Sequence, residues 1–169
     1  MSIHSVRPSD DEIERIVNQY SNTLFRLCFT ILCNNSDAED AVSDTFLKFI
    51  TKSSGFCEEE HEKAWLIKVA TNICLDMRRF NKKHQYINFD DLSEYCKTES
   101  DNEILEEVLR LPEKYRLVIH LYYIEGYKTE EISKILSISP AAVRKRLQYG
   151  REKLKFQYDY ERSLCYERR

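Results

Sequence analysis

The segment from Tyr127 to Lys155, YKTEEISKILSISPAAVRKRLQYGREKLK, constrains the fold most, because it sets two helices and the short connection between them. Thr129 reads as an N-cap, with Glu130 and Glu131 in the first turn, where the helix dipole favours anions. Ile132, Ile135 and Leu136 give one apolar face. Ser137-Ile138-Ser139 forms the connection, and Ser139-Pro140 restarts a helix with a capping serine and a proline at the first helical position. Val143, Leu147, Gly150 and Leu154 recur at helical spacing and would pack on the first helix, while Arg144, Lys145, Gln148 and Arg151 project elsewhere. Such a helix can lie in a major groove with its N-terminal turns against base edges. Between Pro140 and Lys155 six cations oppose only Glu152, in a chain whose net charge is −3. That local excess reads as an electrostatic footprint for DNA rather than as the solvated face of an ordinary hairpin.

The rest of the chain also reads as helical. Three glycines and three prolines in 169 residues leave little room for tight turns, and no stretch alternates as a strand would. This length suits one ordinary domain or two small ones. Capping boxes at Ser9/Glu12, Ser36/Glu39 and Ser100/Glu103 mark helix starts. The first helix is expected over Glu12 to Leu32, with Ile13, Ile16, Val17, Tyr20, Leu24, Leu27, Cys28 and Ile31 on one face. A second, Asp37 to Ile50, would bury Val42, Phe46 and Phe49. A polar connection, Thr51 to Glu62, holds the lone aromatic Phe56. A third helix, Lys63 to Lys83, would bury Leu66, Val69, Ala70, Ile73 and Met77. From Phe89 to Glu107 eight acidic residues face only Lys97, and the first part of this stretch reads as an extended, solvated linker. The expected organisation is all-α: a helical domain over 9–83, an acidic linker over 84–101, a second helical domain over 102–156 ending in the helix-turn-helix, and a tail over 157–169.

Other chemistry finds little support. The six cysteines include no C-x-x-C pair and the four histidines are scattered, so no metal set forms; Cys28 and Cys74 read as small buried hydrophobes. No catalytic nucleophile or cofactor motif stands out. No apolar run approaches the roughly twenty residues of a membrane span, and the first residues lack a signal-peptide core, so a cytoplasmic protein without stable membrane insertion is expected.

Two further helices carry a signal. Between Lys63 and Lys83 six cations oppose Asp76 alone. Trp65, Lys68, Asn72, Asp76 and Arg79 share its polar face at spacings of three and four. A lone tryptophan is as readily a core residue, yet an aromatic and an amide among cations are also what unstacked bases require. The helix from Asp37 to Ile50 is acidic, with four carboxylates against Lys48. Ordinary surface charge explains it by default; a basic protein partner is the functional alternative.

Taken together, DAEDAVSDTFLKF (Asp37 to Phe49), AWLIKVATNICLDMRR (Ala64 to Arg79), LPEKYRLVIHLYYIEGYKTEEISKIL (Leu111 to Leu136) and SPAAVRKRLQYGREKL (Ser139 to Leu154) resemble, in order and spacing, the bacterial RNA polymerase sigma factors of extracytoplasmic-function (ECF) type. The resemblance implies a sigma factor, not an enzyme, with core RNA polymerase and promoter DNA as partners and an anti-sigma factor as regulator. It places 9–83 as sigma region 2 and 102–156 as sigma region 4. It implies that Asp40, Asp44 and Phe46 dock on the polymerase clamp. Trp65, Lys68, Asn72 and Arg79, with Phe56 in the preceding loop, would engage the minus-ten element and its melted strand. Arg144, Lys145, Gln148 and Tyr149, together with Thr129, Ser139 and Arg151, would bind the minus-thirty-five element. Ser43 stands where many members have glutamine, and Ser137 where most have glycine. The rival readings are a free-standing helix-turn-helix regulator, which would need a symmetric apolar dimer interface, and a nucleic-acid-processing enzyme, which would need a carboxylate or metal cluster on a basic surface.

Overall fold

The computed structural model describes residues 8–52, 59–80 and 106–167, with side chains given for 8–51, 59–80 and 106–154. All regular structure among these residues is helical. The chain divides into two compact units between Cys96 and Lys97. Phe56, the Ser100/Glu103 capping box and the expected acidic linker lie outside the described residues.

The first unit packs three helices: α1 (Asp10–Leu32), α2 (Asn35–Lys52) and α3 (Glu59–Phe80). The Ser9 hydroxyl caps α1 by accepting from the Glu12 N–H at 3.2 Å, as its capping box indicates. Cys33 ends the helix in the left-handed region, φ 54°, its N–H on the Phe29 carbonyl. The cap of α2 is not Ser36 but Asn34, whose Oδ1 accepts the Asp37 N–H at 2.8 Å. An asparagine in this position satisfies the third-residue donor of a helix that begins two residues earlier.

The face that α2 buries also differs from expectation. Ala38, Ala41, Thr45 and Phe49 are buried, whereas Val42 and Phe46 are only half-buried. Small residues let α2 approach its neighbours closely, and the Thr45 hydroxyl is satisfied on the Ala41 carbonyl at 2.7 Å. The third helix starts a turn before Lys63. Glu59, Glu60 and Glu62 occupy its first turn, where carboxylates suit the dipole. Glu62 is nearly buried and accepts a two-bond fork from Arg15 of α1, at 2.8 and 3.3 Å. At the other end of α3, Arg78 donates to the Ile31 carbonyl at 3.1 Å and so ties down the C-terminus of α1. Cys28 and Cys74 are both fully buried. The hydrogen bond with Cys28, followed by burial, pushes the Cys74 thiol far up, so Cys74 behaves as protonated, unreactive core.

The second unit comprises a helical turn at 106–109, α4 (Glu113–Ile119), a π-helical turn (His120–Ile124), α5 (Thr129–Leu136) and α6 (Pro140–Glu167). Buried Arg116 reaches back to the Leu109 carbonyl at 3.1 Å, securing the 106–109 turn on α4. Gly126 takes φ 78°, a conformation that side chains rarely adopt, at the entry to the α5 loop. The N-cap of α5 is Lys128 rather than Thr129. Its backbone N–H donates to the Glu131 carboxylate at 2.7 Å, while the Thr129 hydroxyl is turned to Glu130 at 2.9 Å. A carboxylate reaching back from the third helical position does the capping here. Ser139 caps α6, accepting from the Ala142 N–H at 3.1 Å. Val143 and Leu147 are buried, and Gly150 lets α6 approach α4 so closely that an added Cβ would meet Ile119 Cγ1 at 2.8 Å.

Candidate nucleic-acid interface

In the first unit α3 carries one surface. Lys68, Asn72 and Arg79 are exposed on the stripe read from the sequence, and Trp65 is half-buried. The Trp65 ring stands edge-on to Phe49 of α2, centroids 6.4 Å apart, so it packs partly on the core and leaves part of its surface open. Arg79 pairs with Asp76 at 2.9 Å, an exposed pairing of little energetic weight that a phosphate could displace. Arg78, one of the cations counted on this helix, is directed to the Ile31 carbonyl instead.

The outer face of α2 presents exposed Asp40 and Asp44, and Phe46 of the same helix is half-buried. Leu47, 57% exposed, joins this acidic face. Three residues on from Asp44 and seven from Asp40, it shares their side of the helix, away from the core.

The second unit gathers its residues more closely. Thr129 of α5 and Arg144, Lys145, Gln148, Tyr149 and Arg151 of α6 line one open hollow of about 640 Å³, completed by Leu147 and Tyr122. Ser139 is not among them; its hydroxyl is spent on the helix cap. Arg144 lies 3.9 Å from Glu130. The Glu130 carboxyl is held below the usual range by a hydrogen bond to its own backbone N–H, then by the Thr129 hydroxyl and by the charges of Arg144 and Lys128. Lys145 sits 5.9 Å over the Tyr149 ring, which also packs 6.0 Å from Tyr115. Gln148 donates to Glu152 at 3.1 Å, and Arg151 donates to the Tyr123 hydroxyl at 3.3 Å, a bond that raises the Arg151 pKa further.

Tyr122 and Tyr123 were not visible as part of this surface in the sequence. Continued α-helical spacing aligns Tyr122 with Tyr115, Val118 and Ile119, on the buried side. The π-helical turn from His120 adds a residue to the turn and rotates both tyrosines out, leaving Tyr122 37% and Tyr123 54% exposed. The hollow can therefore offer three cations, an amide and aromatic walls to a polyanion. Among the described residues no cluster of three or more His, Cys, Asp or Glu side chains could hold a metal, and no helix is long and apolar enough to cross a membrane.

Comparison with known proteins identifies the family. The family Sigma-70 region 2 matches residues 16–84, and Sigma-70, region 4 matches residues 101–154. The ECF RNA polymerase sigma factor SigW of Bacillus subtilis is 30% identical over 175 residues, spanning 92% of this chain and 94% of its own. SigM of the same organism, also an ECF RNA polymerase sigma factor, is 29% identical and spans 87% and 95%. Among solved structures, the sigma factor RpoE from Bartonella quintana, in complex with the anti-sigma factor NepR, matches with a TM-score of 0.66 at 18% identity, covering 88% of this chain and 98% of that one. CnrH, in complex with the cytosolic domain of CnrY, matches with a TM-score of 0.61 at 20% identity, covering 90% of each. These two likenesses concern the fold.

Proposed function

This chain belongs to the ECF RNA polymerase sigma factors, and we propose that it directs core polymerase to promoters by gripping DNA at two points, one in each unit. Promoter direction follows from family membership, which sets aside the free-standing regulator. The division of labour among residues is our reading. In the second unit α6 enters the major groove of the minus-thirty-five element. Arg144, Lys145 and Gln148 face base edges and phosphates, with Tyr149 and Arg151 along the flank. Thr129, at the start of α5, lines the same hollow, and Ser139 sets where α6 begins.

In the first unit, Trp65, Lys68, Asn72 and Arg79 of α3 engage the minus-ten element as it opens, with Phe56 in the loop before α3. Extruding a base costs a few kcal/mol, which stacking and a pocket can offset. Asp40, Asp44 and Phe46 on α2 dock on core polymerase, since an acidic face would repel DNA. The chain performs no chemistry of its own. An anti-sigma protein is its regulator in this reading, in keeping with the partners named for RpoE and CnrH.

The observation that carries this proposal is the convergence of Arg144, Lys145, Gln148, Tyr149 and Arg151 on one hollow of the region-4 unit. Run-off transcription from genomic DNA with purified core polymerase supplies the promoters. Replacing Arg144 and Lys145 together by alanine should weaken upstream binding by tenfold or more and reduce the salt slope by about two. An unchanged upstream footprint would falsify the assignment of α6.

A further inference from the structure

We propose that Tyr122, Tyr123 and Arg151 form a rim that grips the sugar-phosphate backbone flanking the upstream element, a contact built on the π-helical turn beside α6. The proposal rests on α6 being the groove-binding helix. Tyr122 and Tyr123 stand edge to face with centroids 4.9 Å apart, and both remain substantially exposed although each could bury a large apolar area. Tyr122 lines the hollow beside Arg144 and Lys145. Arg151, on the same hollow, is tethered to Tyr123.

The direction of that tether shapes what the pair can bind. A guanidinium has only donors, so Arg151 gives the hydrogen bond and the Tyr123 oxygen accepts it. The phenol hydrogen is then left to donate outward. A cation on the oxygen polarises the phenol and makes it a better donor. A neutral O–H donor beside a fixed guanidinium, backed by rings, suits a phosphate oxygen, and both residue types serve as backbone contacts to duplex DNA. An acidic peptide could also meet Arg151. The hollow, however, adds Arg144 and Lys145 to the same side, and a strand of regularly spaced phosphates satisfies all three cations at once. Tyr123 is thus a positioning residue for Arg151 as well as a donor, and Tyr122 the wall between them and the groove.

The test uses the full chain assembled with core polymerase, on a promoter fragment from which the wild-type holoenzyme initiates. Ethylation interference is read on the upstream backbone. Tyr123→Phe keeps the ring and removes the donor. Affinity for the upstream element should fall about three- to tenfold. Interference should vanish at one or two phosphates flanking the element while base protection persists. The slope of log affinity against log salt should stay unchanged, because a neutral hydroxyl releases no counterion. Tyr122→Ala should lower affinity with the same preserved salt slope.

If both variants keep the wild-type interference pattern and affinity, while Arg144→Ala with Lys145→Ala loses the footprint, the rim is overturned and the groove assignment stands. If the Arg144/Lys145 variant keeps its footprint, the groove assignment itself falls, and the rim with it. Weakened association with core polymerase in Tyr123→Phe, at unchanged DNA contact, overturns the proposal in favour of a protein ligand. Loss of helix content in Tyr123→Phe overturns it in favour of a structural role.

Discussion

Ser137 carries a backbone conformation that its side chain opposes. It closes α5 in the left-handed region, φ 52° and ψ 43°, with its N–H on the Ser133 carbonyl. A Cβ there costs roughly 1–2 kcal/mol, part of which glycine loses again through its freer unfolded chain. Ser137→Gly should therefore stabilise the second unit by about 0.5–1 kcal/mol. Amide hydrogen exchange in α5 measures this locally, and faster exchange in the variant would refute it. In the first unit Tyr20 is opposed in a different way, through its ionisation. It is 5% exposed, and burial, then the neighbouring Glu62 carboxylate, pushes its pKa up to about 12. An unfolded tyrosine ionises near pH 10, so the folded state holds this proton longer than the unfolded state. The stabilisation is full below pH 10 and is lost as pH rises from about 10 to 12, by roughly 2–3 kcal/mol in all. Tyr20→Phe lacks the ionisation. The variant should gain on the wild type over that interval, measured by urea denaturation followed through the fluorescence of Trp65, the chain's single tryptophan. A constant difference between the two chains from pH 8 to pH 12 would exclude the effect.

Elements differ in how much of their environment a linear pattern can express. In α1, Ile16, Tyr20, Leu24, Leu27, Cys28 and Ile31 are buried and all lie on the face read from spacing alone, because one regular helix with large apolar residues keeps its phase. On α2 side-chain size is a poor guide to the buried face. Close packing instead favours Ala38, Ala41 and Thr45 and leaves Phe46 half-buried at the rim of the core-facing side. The start of α3 was hidden by the charge of Glu59, Glu60 and Glu62, which suits both a loop and a helix N-terminus until Arg15 is seen on Glu62. The hollow on α6 was legible because its cations and amide share one regular helix. Its tyrosines were not, since a π-helical turn breaks the phase that spacing relies on. Gly150 was read only as an apolar-face position, and its consequence is steric. Gly150→Ala would drive a methyl against Ile119 Cγ1 and Cδ1, 2.8 and 3.0 Å from the new Cβ. Helix propensity gains up to about 1 kcal/mol from this exchange, but overpacking against a γ-carbon held by the β-branch costs about 1–3 kcal/mol. The net expectation is a loss of about 1 kcal/mol in the second unit. Combining it with Ile119→Val should recover part of that loss. Higher stability in Gly150→Ala alone would show that α4 and α6 separate without cost.

At the scale of the whole molecule, the division into two compact units would, in our reading, let DNA binding and DNA opening be damaged independently. In our reading the residues over 84–101 tether them, and 18 residues reach at most about 60 Å when extended. That is under two turns of duplex at roughly 34–36 Å each, so the tether permits contacts on one promoter face while core polymerase sets their geometry. Lesions in α2, α3 and α6 should then fail at different steps. Asp40→Lys with Asp44→Lys removes the docking charge, and the chain should no longer co-purify with core polymerase. Arg144→Ala with Lys145→Ala should reduce binding and melting in proportion, because melting follows docking. The decisive lesion is in α3. Trp65→Ala would also remove the ring packed on Phe49 and weaken the fold, whereas Asn72 is exposed and makes a cleaner probe. Asn72→Ala should leave the upstream footprint and the urea midpoint unchanged. Permanganate reactivity of thymines around the minus-ten element should fall about fivefold or more, the weight of one hydrogen-bonded or stacked base contact. Trp65→Phe, which keeps a ring against Phe49, should fall between Asn72→Ala and the wild type. Normal permanganate reactivity in Asn72→Ala, at normal occupancy of the upstream element, would remove α3 from the melting step and leave the first unit with docking alone.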